Sequence, residues 1–234
     1  MKLTLELRAA EGGADARLFT AQLGRAYILA ASHKGWLTHC TPAIDLNAGN
    51  SFLTLTIEGP SSDLDVFRTE GGGHRVQRIP PNERRGRVHS STVTVAVLGE
   101  TQNDPKYFKR QAEDFSISFF SGTGPGGQNR NKVQASARIV HVPTGLVRTA
   151  QTRSRENSVR LAMEALIQDL DVAQNQAQWA HTNSVRTEQM GSGMRGDKRR
   201  TYRTQEDMVS DHETGKRARM SDVMKGRFDA LWGP

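Results

Sequence analysis

The chain holds a single cysteine, Cys40, in 234 residues. No internal disulfide can form, and a reducing compartment is the natural setting for such a sequence. No apolar run approaches the roughly 18 residues of a membrane-spanning helix. The start, Met1-Lys-Leu-Thr-Leu-Glu-Leu7, alternates like a strand rather than reading as a signal peptide. A cytoplasmic protein without membrane contact is expected. The seven histidines, His33, His39, His74, His89, His141, His181 and His212, are scattered, and none stands at a metal-ligand spacing from Cys40. No metal and no cofactor are expected, and no internal repeat is present. One further absence is local. From Phe115 to Arg155 there is no Asp or Glu, while Arg130, Lys132, Arg138, Arg148, Arg153 and Arg155 are all basic.

Inside that acid-free stretch lies Ser121-Gly-Thr-Gly-Pro-Gly-Gly-Gln-Asn-Arg-Asn131. Glycine and proline at this density exclude a helix or strand interior, so an irregular loop is expected. A glycine-rich loop of one charge sign suits close backbone approach to a polyanion. A flexible surface loop with incidental charge is the plainer alternative. Two nucleotide motifs nearly fit. Gly122-x-Gly124-x-x-Gly127 follows an apolar run, but the next segment, Val133 to Val147, reads as strands and no acid occurs before Glu156 to hold a ribose. Gly122-xxxx-Gly127 opens like a P-loop, yet Gln128-Asn129 stands where Lys-Ser/Thr is required.

The net charge of +7 is unevenly placed. Residues 1–106 carry 12 Lys and Arg against 11 Asp and Glu; residues 107–234 carry 20 against 14. The excess points to an anionic partner for the second half. The length suits one large domain or two modest ones.

Leu3, Leu5 and Leu7 share one face of a first strand, and a helix is expected from about Asp15 to Ser32 with Phe19, Leu23, Tyr27 and Ala30 at helical spacing. Leu53, Leu55 and Ile57 mark a second strand, and Val93, Val95 and Val97 a third. Between them Arg75, Arg78, Arg84, Arg85 and Arg87 form a basic cluster around the turn-forming Pro80-Pro81-Asn82. Gly99 to Lys106 reads as a linker. Phe115, Ile117 and Phe119 form a strand leading into the glycine loop, and a hairpin turning at Pro143-Thr-Gly145 follows it. A helix is expected over roughly Asn157 to Gln178, with Leu166 and Leu170 on one face and Leu161 close to it. Gly191 to Tyr202 is expected to be disordered or ordered only on a partner. An amphipathic helix is expected over about Arg217 to Leu231, through Met220, Val223, Met224, Phe228 and Leu231. The fold class is α/β (α+β) and two-lobed.

These residues taken together are similar to the bacterial class I peptide-chain release factors, and within them to the release factor 1 branch. Gly126-Gly127-Gln128 resembles the family's Gly-Gly-Gln tripeptide and Pro143-Thr-Gly145 its downstream hairpin turn. Gly73-His-Arg-Val-Gln-Arg78 and Gly86-Arg-Val-His-Ser-Ser91 resemble the flanks of its codon-reading loop. Leu18-Phe19 after Gly12-Gly13 resembles its first helix. Gly191-Ser-Gly193, Arg200-Thr-Tyr202 and Ser210-Asp-His212 resemble its C-terminal segment. The resemblance covers nearly the whole chain. It begins within the first few residues, where family members carry a sizeable helical domain. A chain without that domain, and without its contacts to the ribosomal stalk base and the class II release GTPase, is the expectation.

The resemblance implies a codon-recognition domain over 1–106, a hydrolysis domain over 107–190, and a segment 191–234 packing back on the first. It implies hydrolysis of the ester joining a finished peptide to transfer RNA. Gln128 cannot be a general base, having no titratable proton near neutral pH. Its backbone N–H is the implied oxyanion donor, an effect worth about 3 kcal/mol. Its side chain lines a pocket that admits water, and Gly126 and Gly127 let RNA approach the backbone. Methylation of Gln128 by a glutamine methyltransferase is implied. Arg130, Lys132 and Arg153 would neutralise nearby phosphates. Where the family has Gln after Arg-Ser, this chain has Arg155.

For decoding, the branch uses a Pro-x-Thr tripeptide, a stacking His, and a Gln and Thr at the third base. Pro80-Pro81-Asn82 stands at the tripeptide, His89 matches the His, Gln77 the Gln, and Ser90 replaces the Thr. Gly12 and Asp15 fall where the first helix contacts the opening uridine, with Asp in place of Glu. A Gln amide both donates and accepts, so it serves adenine or guanine. The sister branch's Ser-Pro-Phe tripeptide is absent. Stop-codon-dependent release at UAA and UAG is implied. The implied partners are ribosomal RNA of the decoding and peptidyl transferase centres, a stop codon and peptidyl-tRNA, met by a monomer. Two alternatives remain: a codon-independent rescue hydrolase with a basic tail over Gly191 to Arg203, and a non-catalytic ribosome or RNA binder.

Overall fold

A computed structural model of the chain describes residues 1–60, 64–81, 83–99, 110–122, 132–190 and 198–233. The chain divides into two compact units, one formed by Met1–Thr101 with Thr182–Pro234, the other by Gln102–His181. Mixed α and β structure is present in both.

Unit 1 is an eight-stranded sheet, among the described residues, covered on one face by a helix. In chain order its elements are β1 (Lys2–Ala9), α1 (Gly13–His33), β2 (Leu37–Thr41), β3 (Phe52–Glu58), β4 (Gly72–Arg78) and β5 (His89–Gly99). The C-terminal part adds β9 (Arg200–Arg203), β10 (Met208–Asp211) and β11 (Arg217–Arg219). The spatial order is β11-β10-β9-β4-β5-β1-β3-β2, antiparallel throughout except where β9 runs parallel to β4. Period-two alternation sets the buried face. Leu3, Leu5 and Leu7 pair in register with Ile57, Leu55 and Leu53 and meet Phe19, Leu23 and Tyr27 of α1 in one core. At about 25 cal/mol per Å² of apolar surface, burying each large side chain contributes about 2 kcal/mol. Gly24 lets α1 sit close to the sheet, since a Cβ there would lie 2.8 Å from Leu53 Cδ1.

Unit 2 contains the sheet β6 (Phe115–Phe120), β7 (Ser136–His141) and β8 (Val147–Ala150), antiparallel in that order. The β7–β8 turn falls at Pro143-Thr144-Gly145, closed by a bond from the Gly145 N–H to the His141 carbonyl at 2.8 Å. Helix α2 (Arg155–Met190) follows. Ala162, Leu166 and Leu170 pack on Ile139 in a small core. From Thr182 onward α2 belongs to unit 1. There Gln189 pairs its side-chain amide with both backbone groups of Val97, and Arg186 forks onto the Glu6 carboxylate.

Several expectations are corrected. Helix α2 runs to Met190 instead of ending near Gln178, because no Gly or Pro interrupts 155–190 although the apolar stripe fades. Leu161 points outward, 41% exposed. Of the segment expected to be disordered, Arg200–Tyr202 forms β9 and is fully buried; residues 191–197 lie outside those described. The expected helix over Arg217 to Leu231 is instead β11 followed by two single turns, α3 (Met220–Val223) and α4 (Asp229–Trp232). Met220, Val223, Phe228 and Leu231 are buried as their spacing suggested, but Gly226 at φ 82° breaks the helix between them. The strands β2, β4 and β10 were not foreseen.

A buried polar network fastens the C-terminal strands to the sheet. Arg200 bonds the Glu70 carboxylate at 2.6 Å and Asp211 at 2.9 Å. Glu70 also accepts from Tyr27 Oη at 2.8 Å and from Trp232 Nε1. His74 donates from Nε2 to the Glu70 carbonyl at 2.9 Å and accepts at Nδ1 from the Tyr202 hydroxyl at 3.0 Å. Burial pushes the His74 imidazole down from 6.5 to about 4. Burial also opposes the charge on Glu70 and Asp211, yet Arg200 holds Glu70 below its ordinary range, and Asp211, helped by the Thr214 N–H, sits at about 2.

All three shifts carry the same sign. Each group binds protons more readily in the unfolded chain, so its contribution is full at higher pH and falls on acidification. His74 loses its part between pH 6.5 and about 4, worth about 3 kcal/mol at most. Glu70 and Asp211 follow below their ordinary values. The melting temperature is expected to drop steadily from pH 7 to 4, and His74→Gln to flatten the part of that drop above pH 4.5. Differential scanning calorimetry across this range checks it.

Candidate nucleic-acid interface

Strands β4 and β5 form a hairpin whose open end carries the decoding candidates. The register sets Gln77 opposite Ser90 and Arg78 opposite His89. Paired residues share a face, so Gln77 and Ser90 stand side by side on one face while Arg78 turns inward under α1. Arg78 is buried, donating from Nε to Asp15 Oδ1 at 2.8 Å and from Nη1 to Gln22 at 2.7 Å. The second Asp15 oxygen accepts from Ser91 Oγ at 2.7 Å. Asp15 is thus 3% exposed with both oxygens engaged. Its charge locks the start of α1 to the hairpin. The basic cluster expected around the turn therefore loses Arg78 to an internal pair.

Gly12 caps α1 at φ 119°, and a Cβ there would meet Ser91 Oγ at 2.3 Å. Only glycine allows this approach. Thr92 and Ala10 add backbone bonds, from Thr92 N–H to the Glu11 carbonyl at 2.7 Å and from Ala10 N–H to Thr92 at 2.9 Å. Gly12, Asp15, Arg78 and Ser91 thus form one seam beside the hairpin.

Across the hairpin tip Pro80 is buried and Pro81 exposed. Asn82 lies outside the described residues. Glu83 was not anticipated as a site residue. Its side chain is only 6% exposed in an otherwise exposed loop. It accepts from the Arg85 N–H at 2.7 Å and from Arg87 Nη2 at 3.1 Å, and His89 Nε2 lies 2.8 Å from the same oxygen as Arg87. The Arg85 N–H, with Arg87 and His89, holds the Glu83 carboxyl below its ordinary range. The available signal in the sequence was that Glu83 is the one acid between Gly71 and Gly99, among five arginines.

In unit 2, Gly126, Gly127, Gln128 and Arg130 lie outside the described residues. Lys132 and Arg153 are exposed. Arg148, part of the acid-free stretch, is matched by Asp169 of α2, bonded by Nη2 at 2.8 Å. Arg155 lies 4.9 Å over the Phe119 ring and donates to the Gln134 carbonyl at 2.7 Å. It forms one edge of an open groove of about 540 Å³ lined by Phe119, Val159, Met163 and Ile167. The replacement of Gln by Arg at this position is thus used in local packing. Among the described residues, no group of three or more His, Cys, Asp or Glu could hold a metal ion, and no helix is long and apolar enough to cross a membrane.

Comparison with known proteins gives the same answer at both ends of the chain. The PCRF domain family matches residues 1–95 and the RF-1 domain family residues 104–213. The peptide chain release factor 1 of Chlamydia caviae is 36% identical over 99% of this chain. That of Chlamydia trachomatis serovar L2 is also 36% identical over 99%. The chain carries a PCRF domain and an RF-1 domain and is similar to the peptide chain release factors. It resembles RF2 of Thermus thermophilus in structure, with a TM-score of 0.55, 27% identity, and coverage of 99% of this chain and 66% of that one. The chain spans 64% of the length of the Chlamydia caviae relative and 65% of that from Chlamydia trachomatis serovar L2. Both matched domain families fall on sequence that the release-factor resemblance had already picked out, the first on the hairpin and its helix, the second on the glycine loop and the hairpin after it.

Proposed function

We propose that this chain ends translation: unit 1 reads a stop codon, UAA or UAG, and the loop at Gly126-Gly127-Gln128 directs hydrolysis of peptidyl-tRNA on the ribosome. The observation that carries the reading is the β4–β5 register, which sets Gln77 and Ser90 beside each other and His89 at the same open end. Single-stranded bases are read by stacking and by hydrogen bonds to their edges. Gln77 offers a donor and an acceptor to the third base, Ser90 a hydroxyl, and His89 a ring face. The seam of Gly12 and Asp15 presents the helix start to the first base, with Asp15 acting through its grip on Arg78 and Ser91. The region 1–106 and the segment 191–234 serve decoding, and 107–190 serves hydrolysis. The partners are ribosomal RNA at both centres, the stop codon, peptidyl-tRNA, and a methyltransferase for Gln128.

In unit 2 the chemistry needs a donor to the developing oxyanion and a water held in line. The Gln128 N–H supplies the first and its side chain helps shape the pocket for the second. Arg130, Lys132 and Arg153 serve to neutralise phosphates of the bound RNA.

The rescue alternative leaned on a basic tail over Gly191 to Arg203. Arg200 is buried in internal ion pairs, and Arg199 pairs with Glu213. Among the described residues of that tail, these two arginines are thus spent on internal partners, which favours codon reading. Ribosomes holding peptidyl-tRNA with an empty A site separate the two. A codon reader leaves their ester intact; a rescue hydrolase cleaves it at the rate seen on UAA.

A further inference from the structure

On the stop-codon reading of this hairpin, we propose that Glu83 is the positioning residue for His89 and the organiser of the loop between Pro80 and His89. A lone carboxylate in an RNA-facing, arginine-rich loop works against the phosphates it must meet, unless it is screened. Here it is screened. Glu83 turns its side chain in, and its two oxygens take donors from Arg85 and Arg87, with His89 Nε2 2.8 Å from the second oxygen. Its own N–H closes a turn onto the Pro80 carbonyl at 3.0 Å. The backbone turn and the side chain together link Pro80 to the arm that carries His89.

The consequence for His89 is specific. A carboxylate oxygen 2.8 Å from Nε2 opposes a bare ring lone pair there, so Nε2 carries its hydrogen. That contact restrains the ring at Nε2 while the side chain stays 44% exposed. A base stacking on His89 then meets an oriented ring, and the ordering cost of that side chain has been met before binding. Arg87, held by the same oxygen, is kept in register with the hairpin.

The test uses the full chain. Nitrogen-15 NMR of the free protein is expected to show His89 with hydrogen on Nε2, and Glu83→Ala to release it into a mixture of tautomers. On UAA and UAG ribosomes, Glu83→Ala is expected to raise KM for release about 10- to 100-fold, the scale of a lost charge-assisted hydrogen bond, with the smaller effect in kcat. Glu83→Gln, which keeps one acceptor for His89, is expected to recover part of the KM. The double variant with His89→Ala is expected to be no worse than His89→Ala alone. A wild-type His89 with hydrogen on Nδ1, an unchanged KM for Glu83→Ala, or fully additive KM effects would each overturn the role of Glu83. Wild-type release that ignores the codon would overturn the stop-codon reading itself, a result distinguishable from the other three.

Discussion

Replacing Arg200 by alanine is expected to destabilise unit 1 by about 3–5 kcal/mol, a large part of the stability of an ordinary domain. Arg200 is fully buried and is the only described cation bonded to both Glu70 and Asp211. Its removal leaves Glu70 without a charge partner inside the sheet and Asp211 with only Arg199, 3.6 Å away. The desolvation cost of those groups then stands largely unrelieved, which outweighs the loss of the side-chain packing. The effect reaches the hairpin. Strand β9 runs beside β4 in register, Arg75 to Thr201 and Gln77 to Arg203, and the Thr204 N–H bonds the Gln77 carbonyl at 3.1 Å. A chain that loses β9 loses one wall of the strand that carries Gln77. Urea unfolding checks the size of the effect. Because the cost lies in stranded charge, adding Glu70→Gln to Arg200→Met is expected to recover part of what Arg200→Met loses. A double variant as unstable as the sum of the two singles would place the cost in packing instead.

The second large effect concerns chemistry. Gln128→Pro removes one backbone N–H, and Gln128→Ala keeps it. If that N–H stabilises the oxyanion, Gln128→Pro is expected to slow single-turnover peptide release about 10²- to 10³-fold, whereas Gln128→Ala costs distinctly less. Ribosome binding is expected to survive in both, because unit 1 is untouched. Quench-flow measurement of peptide release on saturated UAA ribosomes gives the two rates. Equal rates for the two variants would show that the side chain, not the backbone, carries the catalytic contribution.

The residues that were legible in the sequence are those whose signal is local. Leu3, Leu5 and Leu7, the Phe19 to Ala30 stripe, and the turn at Pro143-Thr-Gly145 announce strand, helix and hairpin by period and turn chemistry alone. What failed was set by distant partners. Arg200–Arg203 looks like a solvated basic stretch until β4 is found beside it and Glu70, 130 residues away in sequence, is found to neutralise Arg200. The same holds for Arg217–Trp232, where buried residues at spacings of three and five imitate one helix face although a glycine packed on α1 divides it. At the candidate site, residue types were readable and their faces were not. Arg78 and Gln77 are neighbours in sequence, yet the pleat sends one into an internal ion pair and the other to the open face. Glu83 shows the reverse. Its oddity as a single acid among arginines was visible, but its meaning required the loop to be closed around it.

The most direct test is the rate of peptide release by the purified chain on ribosomes carrying UAA, UAG, UGA or a sense codon in the A site. Decoding through Gln77, His89 and Ser90 predicts fast release on UAA and UAG, and release on UGA slower by orders of magnitude. Equal rates on all four codons would contradict the account.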